Sequence, residues 1–250
     1  MENKLARLGN FILDILFPPI CLVCRKRLDR SKTTNISEST NTNNFSFLCF
    51  SCSQKIQINN TAFCPVCFRR LPENKKTCHR ESPFILAATG FYGDEILDRL
   101  IALLKYQKIK QAAVPLGEIL SKYLIRNLKL EIRNFLIVPV PLHWRKEKQR
   151  GFNQTRLIAD CLSKNTGLPV VKNALERIKN TASQVKLKDK EKREFNVQNC
   201  FVAEKSELLS GKNIVLLDDV FTTGATMKEA VSVIKKSGAK KIIGLVAAKT

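Results

Sequence analysis

No apolar run in these 250 residues approaches the roughly 20 that a membrane-spanning helix needs, which argues against insertion in a bilayer. Acid is scarce: 22 Asp and Glu face 43 Lys and Arg, a formal charge of +21. That imbalance makes a polyanion a natural partner, although Lys and Asn are abundant throughout and a solvated basic surface is the plainer reading. Aromatic residues are few, 14 Phe, three Tyr and one Trp, which speaks against a surface built to stack nucleic-acid strands. Neither G-x-x-x-x-G-K-[ST] nor G-x-G-x-x-G occurs, so nucleoside-triphosphatase and nicotinamide-binding classes lose support. A secretion signal is not expected either. Leu5, Leu8, Phe11, Ile12, Ile15 and Leu16 would share one helix face, but Arg7, Asp14 and Pro18 break the apolar stretch that a signal needs. An amphipathic helix packed on its own protein is expected there, with a membrane-surface or partner-docking helix as the alternative.

Cysteine is what the chain does have. Of nine cysteines, seven fall in the first 80 residues and form three C-x-x-C pairs, Cys21/Cys24, Cys49/Cys52 and Cys64/Cys67, followed by Cys78. Without a secretion signal such pairs point to a metal and a cytoplasmic setting rather than to disulfides. Two C-x-x-C turns give zinc a tetrahedral thiolate shell, because a two-residue gap lets both sulfurs face one point. Cys21, Cys24, Cys49 and Cys52 meet that requirement. Cys64, Cys67 and Cys78 need a fourth donor, for which His79 offers a nitrogen and Glu81 an oxygen. Free buried thiols, an empty second site and pairing across the two sets stay open. Cys161 and Cys200 stand alone and read as core residues.

Asp29 to Asn44 is dominated by Ser, Thr and Asn and reads as a flexible loop. From Phe84 the pattern changes. Phe84 to Tyr92 reads as a strand, Asp94 caps a helix carrying Leu97, Leu100, Ile101 and Leu104, and a second helix covers Ala112 to Leu128. Beyond these, continuous apolar strands at Leu136–Val140, Val170–Val171, Ile214–Leu217 and Ile242–Ala247 alternate with helices at Asn153–Ser163 and Thr226–Lys236. Such alternation indicates an α/β fold with a parallel sheet buried on both faces. Lys179 to Asn199 is charged and nearly without apolar residues, an excursion or exposed hairpin over the sheet edge. The expected division is 1–83 for the amino-terminal helix and metal region and 84–250 for the α/β domain, with its core at 132–250.

The sharpest signal is Ile214-Val215-Leu216-Leu217 followed by Asp218-Asp219-Val220-Phe221-Thr222-Thr223-Gly224-Ala225-Thr226 and an amphipathic helix. A buried strand delivers two carboxylates at its carboxyl end, the usual ligand edge of a parallel sheet. The following loop supplies the hydroxyls of Thr222, Thr223 and Thr226, N–H groups freed by Gly224, and the positive end of a helix. These are the parts of a phosphate site, and the acids sit where ribose hydroxyls could donate to them.

This segment resembles the phosphoribosyl pyrophosphate (PRPP) motif of type I phosphoribosyltransferases. Val138-Pro139-Val140-Pro141-Leu142-His143, Arg150-Gly151-Phe152-Asn153-Gln154, Lys105-Tyr106, the 181–196 stretch with Gln184 and the cysteine pairs together resemble the ComF family of competence-associated phosphoribosyltransferase-like proteins. Glu81 departs from the family's double zinc ribbon, which would place a cysteine there, and the basic stretch Lys188 to Arg193 is loosely spaced. The resemblance implies a type I phosphoribosyltransferase-like sheet flanked by helices, with a small amino-terminal zinc ribbon. It implies PRPP held by Asp218, Asp219 and the Thr222–Thr226 loop, and magnesium carried on substrate oxygens. Arg145, Lys146, Lys148 and above all Arg150 would face the pyrophosphate, with a solvated basic face as the alternative for Lys146 and Lys148, and His143 lining the site or serving structure. Single-stranded DNA and the DNA-uptake machinery are implied partners. Relatives that salvage 6-oxopurines carry a proton-accepting acid where this chain has Thr222, so the acceptor stays open. With Met1-Glu2 in place of an amino-terminal cysteine, a glutamine amidotransferase half is not expected.

Overall fold

In a computed structural model of the chain, residues 18–28, 44–72, 78–79, 81–128, 134–180 and 197–250 are described. The helix expected over Leu5 to Ile20 and the loop Asp29 to Asn44 lie almost entirely outside these residues, as do Gln184 and Lys188 to Arg193. The chain forms two compact units, one up to Gln57 and one from Ile58 to Thr250. This places Ile58 to Pro83, with the second cysteine cluster, in the larger unit, whereas the sequence reading grouped them with the amino terminus.

In the smaller unit two C-x-x-C turns face each other, and helix α1 (Phe50–Lys55) begins directly after Cys49. Leu48, Phe45 and Ile56 are buried beneath them.

The larger unit is built on four apolar strands. Strand β1 (Ile85–Phe91) leads into helix α2 (Glu95–Lys105), whose first turn is closed by Asp94 accepting from the Ile96 and Leu97 N–H groups at 3.0 Å. Helix α3 (Ala113–Leu128) buries Leu116, Ile119, Leu120, Tyr123 and Leu124 completely. Strand β2 (Phe135–Pro139) is followed by a short helix α4 (Trp144–Arg150) that periodicity did not suggest, since it buries no side chain. Helix α5 (Gln154–Thr166) follows, capped by Asn153, and then strands β3 (Leu175–Arg177) and β4 (Phe201–Ala203), which pair antiparallel. These two strands are the stems of the charged excursion; residues 181–196 lie outside the described residues. A single-turn helix α6 (Ser206–Leu209), strand β5 (Asn213–Phe221), helix α7 (Ala225–Lys236) and strand β6 (Ile242–Lys249) complete the chain.

The four long strands form one parallel sheet in the order β1-β6-β5-β2. All eight residues of β6 are buried, as a central strand covered on both faces requires. The expected Val170–Val171 strand reduces to one parallel bridge with Ile137, because the chain turns away immediately afterwards. No helix among the described residues is long and apolar enough to cross a membrane.

Helices α3 and α5 approach closely at Gly117, where an added Cβ would lie 2.5 Å from the Cys161 Cβ. Helix α5 carries Asn153, Gln154 and Thr155 at its buried amino end, so this contact fixes polar residues next to β5. Gly117→Val should destabilise the fold by about 1–3 kcal/mol through overpacking, read as a lower midpoint in thermal unfolding.

Candidate functional site

Strand β5 runs through both acids and beyond, so Asp218 and Asp219 are its sixth and seventh residues and not its end; Asp218 pairs opposite Val246 of β6. Alternation along a strand sends neighbouring side chains to opposite faces, yet both carboxylates border a single cavity of about 1290 Å³. Thr222 and Thr226 border it from the loop, and Lys105, Arg145, Lys146, Arg150, Gln154 and Arg177 from other elements. The sequence-derived Asp218, Asp219, Arg150, Thr222 and Thr226 are thus brought together. Thr223, Gly224 and Ala225 shape the turn: Gly224 adopts φ +78° at the start of α7, and the Thr223 hydroxyl accepts from the Ala225 N–H at 3.4 Å. Gly224 is the N-cap of α7, and the positive end of that helix favours an anion.

Asp219 is nearly closed off. Its Oδ1 receives the Lys105 ammonium at 2.7 Å and its Oδ2 the Gln154 amide at 2.8 Å, with the acid's side chain 7% exposed. Gln154 in turn accepts from Arg150. Burial works against the Lys105 charge, but Asp219 outweighs it and holds the lysine protonated. Loss of either partner would leave the other charged and buried, a change that typically costs about 3–5 kcal/mol. Asp218 differs: among the described residues it accepts one hydrogen bond, from the Asp219 N–H at 2.8 Å. Burial, then the neighbouring Asp219 charge, raise its pKa from 3.8 to about 7. On the cationic side, burial and the adjacent Arg177 and Arg150 lower the Lys146 pKa, the mark of positive charges held close together. His143 is buried and accepts from the Arg145 N–H, so it caps α4 rather than bordering the cavity.

Lys105, Gln154 and Arg177 escaped the sequence reading as site residues. A signal for Lys105 was there: Leu97, Ile101 and Lys105 follow one another at four-residue steps, which puts a lysine on the buried stripe of an apolar helix.

Two groups of donors could hold a metal ion, Cys21, Cys24, Cys49, Cys52 and Cys64, Cys67, Cys78, His79, with ligand atoms in each group within 4.8 Å of one another. The His79 Nδ1 lies 3.5 Å from the Cys64 sulfur and 3.4 Å from that of Cys78. Each group is built on the same turn, in which the residue after the second cysteine, Arg25 or Phe68, takes a positive φ of 63° or 59°. Burial opposes the thiolate at Cys21 and Cys64, but N–H groups of the turns prevail and bring these thiols down to about 7 and about 6. The thiolate is the form that binds metal. In the larger unit Phe63 pairs with Leu86 of β1, and Phe68 packs edge-on against Phe221 at 5.7 Å. The second cluster is therefore fastened to the strand that carries the acids.

Residues 161–249 match the phosphoribosyl transferase domain family. The chain is 28% identical over 200 residues to competence protein ComFC of Bacillus subtilis, spanning 76% of this chain and 79% of that protein. It is 27% identical over 228 residues to competence protein F of Haemophilus influenzae, spanning 89% and 93%. With DNA utilization protein YhgH of Escherichia coli it shares 28% over 218 residues, spanning 78% and 93%. Among solved structures, the glutamine phosphoribosylpyrophosphate amidotransferase from B. subtilis complexed with ADP and GMP is similar at 18% identity and a TM-score of 0.36, over 54% of this chain and 26% of that one.

Two predictions come from this geometry. A Cβ on Gly224 would lie 2.3 Å from the Phe221 ring, so Gly224→Ala should cost about 1–3 kcal/mol and raise hydrogen exchange in the 222–226 loop. Second, because folding raises the Asp218 pKa from 3.8 to about 7, its neutral form favours the folded state fully below the lower value, and that advantage is lost as pH rises through the higher one. Asp218→Asn should therefore raise the unfolding midpoint relative to wild type by an amount that grows between about pH 4 and pH 7 and then levels off. A gain independent of pH would contradict this.

Proposed function

We propose that this chain, a homologue of ComF-type competence and DNA-utilization proteins with a phosphoribosyl transferase domain, binds PRPP at the β5 acid pair and acts in DNA uptake. The observation that carries the reading is the convergence of two carboxylates, a threonine loop opening α7, and a wall of Lys146, Arg150 and Arg177 on one cavity. The 5-phosphate sits at the α7 amino end, where Thr222 and Thr226 hydroxyls and backbone N–H groups donate to it. The ribose hydroxyls donate to the acid pair, and the pyrophosphate faces the cations after β2. Magnesium suits the hard oxygens of such a substrate and supplies charge neutralisation of the leaving group.

Where transfer occurs, the C1–O bond to pyrophosphate breaks, a C1–N bond forms to a nitrogen acceptor, and the departing pyrophosphate takes up the negative charge. Arg150 and Lys146 stabilise that charge as it develops. With Thr222 where related purine-salvage enzymes have an acid, the chain offers no carboxylate at that position, and a proton given up by the attacking nitrogen passes to solvent. Zinc is the metal that two sets of thiolate and imidazole donors fit best. A tetrahedral zinc–thiolate shell has sulfur–sulfur edges of about 3.8 Å, and the Cys24–Cys49 and Cys67–Cys78 sulfurs stand at 3.5 and 3.1 Å. Both sites are closed by four protein donors and are structural. A reducing, cytoplasmic setting keeps such thiols available.

A second reading, single-stranded DNA binding, is favoured by where the few aromatics fall. Tyr92 and Tyr106 are more than half exposed at the cavity mouth, and Trp144, 59% exposed, carries the Arg145 guanidinium 5.2 Å from its ring. Sparse in the sequence, Tyr92 and Tyr106 border the same cavity as the basic wall and Trp144 adjoins Arg145, so bases could stack there.

Equilibrium titration with PRPP and magnesium should give saturable binding that disappears in the combined Asp218→Ala and Asp219→Ala variant; no binding by wild type would remove the first reading. For the second, fluorescence anisotropy of an oligonucleotide should show affinity at low salt that falls steeply with added salt, weakened in Trp144→Ala. Absence of affinity at low salt would remove it. Elemental analysis should find two zinc ions per chain, and their chelation should lower the unfolding midpoint.

A further inference from the structure

We propose that Lys105 is a positioning residue that divides the labour of the acid pair: with Gln154 it commits Asp219 to a buried relay ending at Arg150, leaving Asp218 to receive the ribose diol. The inference rests on the PRPP-binding reading and assigns it an asymmetry.

Two adjacent carboxylates would be expected to share a sugar diol between them. Here they are unequal. Both Asp219 oxygens are engaged, Oδ1 by the Lys105 ammonium at 2.7 Å and Oδ2 by the Gln154 amide at 2.8 Å, and its side chain is only 7% exposed. Asp218 accepts a single hydrogen bond at Oδ1, and its Oδ2 has none among the described residues. Both acids border the cavity, but Asp218 alone has an oxygen uncommitted.

The amide of Gln154 links the acid to the basic side. Its Nε2 donates to Asp219 and its Oε1 accepts from the Arg150 guanidinium, so the two ends of one amide are fixed by partners of opposite charge. Arg150 closes α4 and lies on the side assigned to the pyrophosphate. Turning Asp219 would release Gln154 and with it the arginine. Lys105 therefore does two things at once. It cancels one carboxylate charge beside a polyanionic substrate, and it holds the acid that orients Gln154 toward Arg150. The lysine reaches this place from the end of α2, an element that precedes the strands and helices of the matched domain family.

The test is a titration with PRPP and magnesium of wild type, Asp218→Asn, Lys105→Met and the combined Lys105→Met/Asp219→Asn, each with its unfolding midpoint measured alongside. Asp218→Asn should abolish binding. Lys105→Met leaves Asp219 uncompensated and should weaken PRPP by about tenfold or more, about 1.4 kcal/mol. The combined variant removes both charges and keeps an amide that Gln154 can engage, so binding should return to within about threefold of wild type. If Lys105 instead contacts a phosphate directly, the combined variant stays as weak as Lys105→Met, and the inference is overturned. Should Lys105→Met alone fail to fold, the combined variant decides by itself: near-native binding supports the inference and loss of binding refutes it. No binding by wild type would sink the PRPP reading itself, an outcome distinct from wild-type binding without recovery.

Discussion

Two carboxylates side by side near the end of a buried strand cannot both stay charged without help, and much of the molecule is arranged to give that help. Lys105 supplies a cation from α2, Gln154 an amide from α5, and the Asp219 N–H a donor to Asp218. The proton that Asp218 retains toward neutral pH is the remainder that these groups do not cancel. Two elements distant in sequence, α2 and α5, therefore meet at one charge problem on β5, which ties their positions to that strand.

The scaffold serves that point from behind as well. Phe221 ends β5, fills the space against Gly224 and receives Phe68 from the second cysteine turn, so the 222–226 loop leans on a ring that leans on that turn. The second donor cluster is coupled to the loop through this contact. The same logic explains why Ile58 to Pro83 belongs with the larger unit: Phe63 hydrogen-bonds to Leu86 in both directions, at 2.7 and 3.0 Å, along the edge of β1.

How much of this was legible in the sequence depended on whether one segment held the signal. Strands β1, β2, β5 and β6 and helices α2, α3, α5 and α7 announce themselves through continuous or periodic apolar residues, and the Asp218–Thr226 loop through its own residues. Helix α4 buries nothing and so left no period to read. The antiparallel pair β3 and β4 is only three residues per strand, too short to rise above a charged stretch. Lys105 and Gln154 lay in motifs noticed for family resemblance, but their meeting at Asp219 depends on tertiary placement that no local pattern encodes. The aromatics illustrate the same limit: a count of 18 argued against a stacking surface, whereas Tyr92 and Tyr106 are exposed on the border of one cavity and Trp144 is exposed beside Arg145.

The central claim is that a phosphoribosyl group lies between the acid pair and the α7 amino end. A crystal soaked with PRPP and magnesium tests it most directly. The account requires electron density for the ribose against Asp218 and for the 5-phosphate at the Thr222–Thr226 turn, with pyrophosphate toward Arg150. Density for the ligand elsewhere, or an empty cavity at saturating PRPP, would contradict it.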